Sequence, residues 1–124
     1  MEQATGTWEC GRFTVRTKEL DRTGDRWELL FEVGHAERYL GAAIATLTRS
    51  AEGTAVGRLA PGTLDAGALI RSNFTELARR RLRHLLDDGQ ASRLTPDRPL
   101  SLLTITGTDS LLIDELAGTL SAGS

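Results

Sequence analysis

The sequence predicts an α+β domain covering 1–124: a four- to five-stranded, mainly antiparallel sheet packed by one long helix from the C-terminal half, followed by a short final helix. Residues 26–33 alternate with a period of two, and residues 65–88 carry apolar side chains at helical spacing without a proline. The strand-like segments come as a block before that helix, the order of an α+β protein and not of alternating parallel βαβ units. With 124 residues, 40% apolar and 26% charged, one domain can bury a core without disulfide or metal staples.

The first strand-like segment, 8–17, sets Trp8, Phe13 and Val15 among Arg12, Thr14 and Arg16. Trp8 and Cys10 share one parity and Phe13 and Val15 the other, so a bulge is expected at Gly11. Asp21, Thr23, Gly24 and Asp25 give 18–25 the chemistry of a turn. Residues 26–33 then put Trp27, Leu29, Phe31 and Val33 on one face and Arg26, Glu28 and Glu32 on the other, with Leu30 the exception; the two strands make a hairpin. Residues 39–49 read as a third strand, although Ala42, Ala43 and Ala45 also permit helix. Residues 50–53 offer a hairpin turn and 54–59 a short fourth strand, stopped by Pro61 and Gly62. Leu64, or rather Asp65 as N-cap, begins the long helix and Gly89 ends it. Beyond a polar connector at 90–99, which holds Pro96 and Pro99, residues 100–106 are apolar enough for a strand buried between neighbours. Thr108 or Asp109 caps the final helix, in which Leu112, Ile113, Leu116, Ala117 and Leu120 share a face; an edge strand is the competing assignment.

On a wheel of about 100° per residue, Ile70, Phe74, Leu77, Ala78, Leu82 and Leu85 of the long helix fall on one arc and Glu76, Arg79, Arg80 and Arg83 opposite. The sharpest local feature of the chain lies here: Arg79, Arg80, Arg81, Arg83 and His84 within six positions. Residues 71–84 hold five arginines against Glu76 alone, and residues 85–124 six acids against two arginines, so charge is segregated along the chain. Basic side chains toward a helix C-terminus complement its dipole and solubilise its outer face. The same row can grip phosphates or an acidic protein surface, because each guanidinium donates a planar, bidentate fork. Arg81 is different, since the wheel sets it inside the apolar arc between Ile70 and Phe74. A guanidinium there requires a carboxylate such as Glu28 or Glu32, a route for its head to the rim, an anionic ligand or a subunit contact.

Motifs for catalysis are missing. Cys10, His35 and His84 stand at no metal-ligand spacing, and one cysteine forms no intrachain disulfide. Cys10 reads as a small core or rim residue and His35, after Gly34, as a turn histidine. No motif constrains a carboxylate pair, and Asp114 with Glu115 reads as polar surface. The stretch 53–57 is glycine-rich but lacks the lysine and hydroxyl of a phosphate loop, and there is no serine-hydrolase elbow.

Fifteen basic residues against 17 acids give a net charge of −2, which disfavours wholesale nucleic-acid binding, as does the lack of aromatics interleaved with the arginines. No apolar run approaches the roughly 18–20 residues of a membrane helix, and the polar first residues contain no secretory signal, so a cytoplasmic protein is expected. Lys18 is the one lysine, the bias of a GC-rich bacterial genome. The sheet face away from the long helix is expected to carry a second apolar patch, Leu30 with Ile44 or Leu47 and whichever of Trp8 and Phe13 faces away. The final helix or a second subunit would cover it, and a homodimer is expected.

These features together predict a non-catalytic binding or accessory module. It would engage a protein partner through a sheet face or the arginine-rich helix, with Arg79, Arg80, Arg81, Arg83 and His84 as binding residues and no cofactor or metal. The alternative is a small-molecule-binding protein or small enzyme in which Arg81 holds an anionic group in a sheet–helix pocket and His35 or Glu32 handles protons.

Overall fold

Alternation in the first part of the chain builds a continuous antiparallel meander. The computed structural model describes residues 6–20 and 25–118. Strands β1 (Gly6–Cys10), β2 (Phe13–Leu20), β3 (Arg26–His35) and β4 (Arg38–Thr48) follow one another across the sheet, and β5 (Leu100–Ile105) adds to β4 at the far edge in parallel. Helices α1 (Arg49–Gly57), α2 (Ala66–Asp87) and α3 (Ser110–Ala117) complete an α+β domain with a mixed, mostly antiparallel five-stranded sheet.

The parity change at Gly11 has a different cause from the bulge expected. Cys10 pairs with Phe13, so Gly11 and Arg12 form a two-residue hairpin loop, Gly11 taking φ +60°, and the segment is two strands. Reversing the chain puts Trp8, Val15 and Phe31 on the same face, with the Trp8 and Phe31 rings edge to face at 6.5 Å. The expected turn at 18–25 begins later, β2 running to Leu20; residues 21–24 lie outside the described residues.

A second correction concerns 50–59, of which 50–57 belong to helix α1 and 58–59 to the turn that follows it, not to a hairpin turn and strand. Thr48 ends β4 in extended conformation and accepts a hydrogen bond from the Ala51 amide at 3.3 Å, a side-chain N-cap. Ala51 and Ala55, one turn apart, are both fully buried. Their burial prevails over the low helix propensity of Gly53, Thr54 and Gly57. Because α1 and α2 then lead to a parallel strand, the chain contains one crossover unit that the block of strands did not foretell.

Helix α2 lies where its period placed it. Asp65 occupies the N-cap position, but in left-handed backbone (φ 51°) with no cap bond from its carboxylate. At the other end Gly89 takes φ +74°, and its amide and that of Gln90 reach the Leu86 and Leu85 carbonyls at 3.2 and 3.0 Å, the Schellman closure that stops the helix. Ile70, Phe74, Leu77, Ala78, Leu82 and Leu85 are all buried against the sheet-side core of Trp27, Leu29, Phe31, Val33, Ala45 and Leu47. Phe74 meets Trp27 at 5.4 Å between ring centroids.

β5 is an edge strand, not one buried between neighbours. Its burial alternates, with Leu103 and Ile105 inward and Thr104 exposed, and Leu102 is the extra residue of a register shift against β4. Asp109 precedes α3, and Ile113 and Leu116 are its buried residues; Leu120 lies outside the described residues. Helix α3 packs on α1 and α2. Arg58 pairs with Asp114 across α1 and α3, Arg71 with Glu52 across α1 and α2 at 2.9 Å, and Asn73 donates to the Leu116 carbonyl at 2.6 Å.

The opposite face of the sheet is therefore not covered by α3. Its apolar residues include Leu30 directly across from Ile44, both half-buried, with Ala42 on β4 and the half-buried Leu20 on β2; Leu47, Trp8 and Phe13 point into the core instead. Lys18 reaches Glu32 at 3.3 Å and Thr46 donates to Glu28 at 3.4 Å on that face. The apolar patch thus lacks the aromatic ring expected of it and is fenced by polar pairs.

Candidate functional site

Two regions gather charged side chains, and the first is the second half of α2. Arg81, expected inside the apolar arc, is exposed. The buried positions near it, Ala78, Leu82, Leu85 and Leu86, lie further round the wheel than Ile70, Phe74 and Leu77 of the first half. The buried stripe turns as the helix crosses a twisted sheet, and Arg81 falls off its edge. The carboxylates suggested as its partners are engaged elsewhere, Glu28 by Thr46 and Glu32 by Lys18.

Arg79 and Arg83 depart from the outer face expected for them. Their guanidinium carbons lie 5.4 and 5.8 Å from the Trp8 ring centroid, two cations on one indole. Arg79 also reaches Glu76 at 3.5 Å. Trp8 is held in turn by donating its ring N–H to Thr17 at 2.8 Å, which satisfies a threonine buried within the sheet. Arg80 shares a depression of about 330 Å³ between α2 and α3 with Glu76 and Glu115, so acids face it. Arg81, Arg83 and His84 are exposed, and no carboxylate among the described residues pairs with them.

The second region is the end of the sheet where the β1–β2 and β3–β4 turns meet the 90–99 connector. His35 pairs with Arg38 across a two-residue loop, and both loop residues, Ala36 (φ 52°) and Glu37 (φ 65°), are left-handed without being glycine or asparagine. That loop type favours Asn-Gly, and a left-handed non-glycine residue costs about 1–3 kcal/mol. Glu37→Gly is accordingly expected to stabilise the fold by about 1 kcal/mol, read as a raised midpoint in urea with unchanged slope. One residue later the ladder slips: Val33 pairs with Gly41 and Gly34 with Tyr39, leaving Leu40 as a bulge.

Around this turn two depressions adjoin. One, of about 470 Å³, has Phe13, Leu40, Leu94 and Pro96 as apolar lining and Arg12, His35 and Arg38 as polar lining; the other, of about 500 Å³, includes Arg16, Glu32 and Glu37. Arg38 and the exposed Tyr39 border both. The Arg12 guanidinium lies 5.3 Å from the Phe13 centroid, and the His35 ring 5.7 Å from it. The sequence pointed to His35 as a turn residue; Arg12, Arg38, Tyr39 and Leu94 had no shared spacing that could have joined them to it. Glu32 and His35 stand at the same end of β3, and Arg81 belongs to neither depression.

Cys10 is buried, a small core residue. Among the described residues no three His, Cys, Asp or Glu side chains are grouped as metal ligands, and no helix is long and apolar enough to cross a membrane. Asp114, read as polar surface, is the partner of Arg58. No protein-family model, no curated protein and no solved structure matches the chain.

Proposed function

We propose that the chain is a non-catalytic binding module that engages an acidic segment of a partner protein through the second half of α2. The observation carrying this reading is Arg83, exposed and unanswered by a carboxylate among the described residues, resting with Arg79 on the Trp8 ring, while Arg81 and His84 stand exposed on other sides of the same two turns. A guanidinium already seated on an aromatic face loses less side-chain entropy when a carboxylate reaches its open edge. Edge strand β1, which carries Trp8, supplies unpaired backbone groups next to the arginines. An extended acidic segment adding to that edge would place alternate carboxylates toward α2. The outer sheet face is the weaker surface, since Leu30 and Ile44 are only half exposed between polar pairs.

The test uses a fluorescein-labelled peptide alternating glutamate and valine, with a lysine–valine peptide as its opposite. Fluorescence anisotropy is expected to show saturable binding of the acidic peptide only, weakened by salt. The pair Arg81→Glu and Arg83→Glu is expected to weaken it by about tenfold or more with the thermal midpoint little changed. Equal binding of both peptides, or an acidic peptide indifferent to the reversals, refutes the reading.

A further inference from the structure

The geometry points to a second, separate site: the depression at the hairpin end of the sheet binds a small amphipathic anion, a carboxylate or phosphate carried on an apolar or aromatic body. Its chemistry is divided in the way such a ligand requires. Phe13 and Leu94 are buried and form a floor, and Leu40 and Pro96 extend it. At the rim stand Arg12, Arg38 and His35, all exposed, and no carboxylate among the described residues lines this depression or pairs with either guanidinium. Glu37, the acid of the turn, borders the adjoining depression instead.

Two arginines from different hairpins brought to the edge of an apolar floor are an arrangement that surface solubility does not require. Each offers planar donors suited to a carboxylate or phosphate, and the floor takes the rest of the ligand out of water. About 470 Å³ lies within the range of small-ligand sites. The backbone reinforces the placement. The left-handed loop at Ala36 and Glu37 sets His35 against Arg38, and the bulge at Leu40 turns Tyr39 and Leu40 independently of the regular pleat. Strain and bulges gathered beside a cavity are where folds hold ligand-binding side chains. The site lies apart from the α2 arginines and does not depend on them.

The experiment is an amide chemical-shift titration with 2-naphthoate and 2-naphthyl phosphate, with 2-naphthalenemethanol as the neutral analogue. Saturable shifts are expected at Phe13, His35, Tyr39 and Leu94 for the two anions. The neutral analogue is expected to bind about tenfold or more weakly, as are the anions to Arg12→Gln and Arg38→Gln. A tighter carboxylate than phosphate, or the reverse, identifies the headgroup preferred. Both substitutions are at exposed positions, and an unchanged thermal midpoint verifies their fold. No saturable shift with either anion at millimolar concentration overturns the proposal. So do equal affinity for the neutral analogue, or shifts confined to Arg79, Arg81 and Arg83.

Discussion

Phe74→Ala is expected to lower the free energy of unfolding by about 3–5 kcal/mol, the range for removing a buried phenylalanine. Phe74 is fully buried halfway along α2, where the helix lies over the sheet, and its ring meets Trp27 at 5.4 Å. Trp27 is itself anchored, donating its indole N–H to Glu19 at 2.5 Å. Tied to β2 at its far edge, it cannot slide far into the space that Phe74 leaves, so the cavity persists and its cost adds to the lost transfer energy. For a domain of this size total stability is on the order of 5–15 kcal/mol, and one such change consumes a large part of it. Urea unfolding followed by tryptophan fluorescence measures the loss. Leu111→Ala, at a residue 72% exposed on α3, is the comparison and is expected to stay within about 0.5 kcal/mol of the parent. A Phe74→Ala protein losing less than about 1 kcal/mol would mean that α2 is not fastened to the sheet through this contact.

That helix is also the element whose sequence spoke most plainly. Twenty-two residues give several turns over which an apolar arc can repeat, and burial in β3 alternates from Arg26 to Gly34. Helix α1 has nine residues with two glycines, and its signal reduces to one buried pair, Ala51 and Ala55, too little for periodicity to show. What makes it a helix is the Thr48 cap and a slot in the core, which are tertiary facts. The hairpin at Gly11 was legible as a break in parity, but a bulge and a two-residue loop both invert parity, and only the Cys10–Phe13 pairing separates them. Arg81 shows the limit of a fixed wheel, which assumes a straight stripe where the packed one rotates. Of the candidate residues, Arg79, Arg80, Arg81, Arg83 and His84 could be read directly, lying within six positions. Arg12, His35, Arg38 and Leu94 meet because β2 pairs with β3 and the connector folds under the turn, and neither pairing leaves a mark in the spacing of those four residues.

The connector's position hangs on one glycine. Gly41 takes φ +150°, and a β-carbon placed there would lie 2.7 Å from both the nitrogen and the oxygen of the Thr95 backbone. Gly41→Ala therefore combines a conformation that side chains rarely adopt with a collision against main chain, which has no rotamer to escape through. The expected cost is about 3 kcal/mol or more. The relief available is movement of Thr95 away from β4, and Thr95 is flanked by Leu94 and Pro96, both part of the hairpin-end depression. Stability and naphthoate binding are thus expected to fall together in Gly41→Ala, even though Gly41 itself does not line the site. Gly53→Ala is the counterpart. It lies in α1 with nothing within 4 Å of an added β-carbon, and is expected to gain about 0.5–1 kcal/mol from helix propensity with binding unaltered. Thermal or urea unfolding of the two variants, followed by the same titration, separates the claims. Should Gly41→Ala lose stability and keep full affinity, the connector does not form part of the binding surface. Should it lose neither, the close approach of Thr95 to β4 is not maintained in solution.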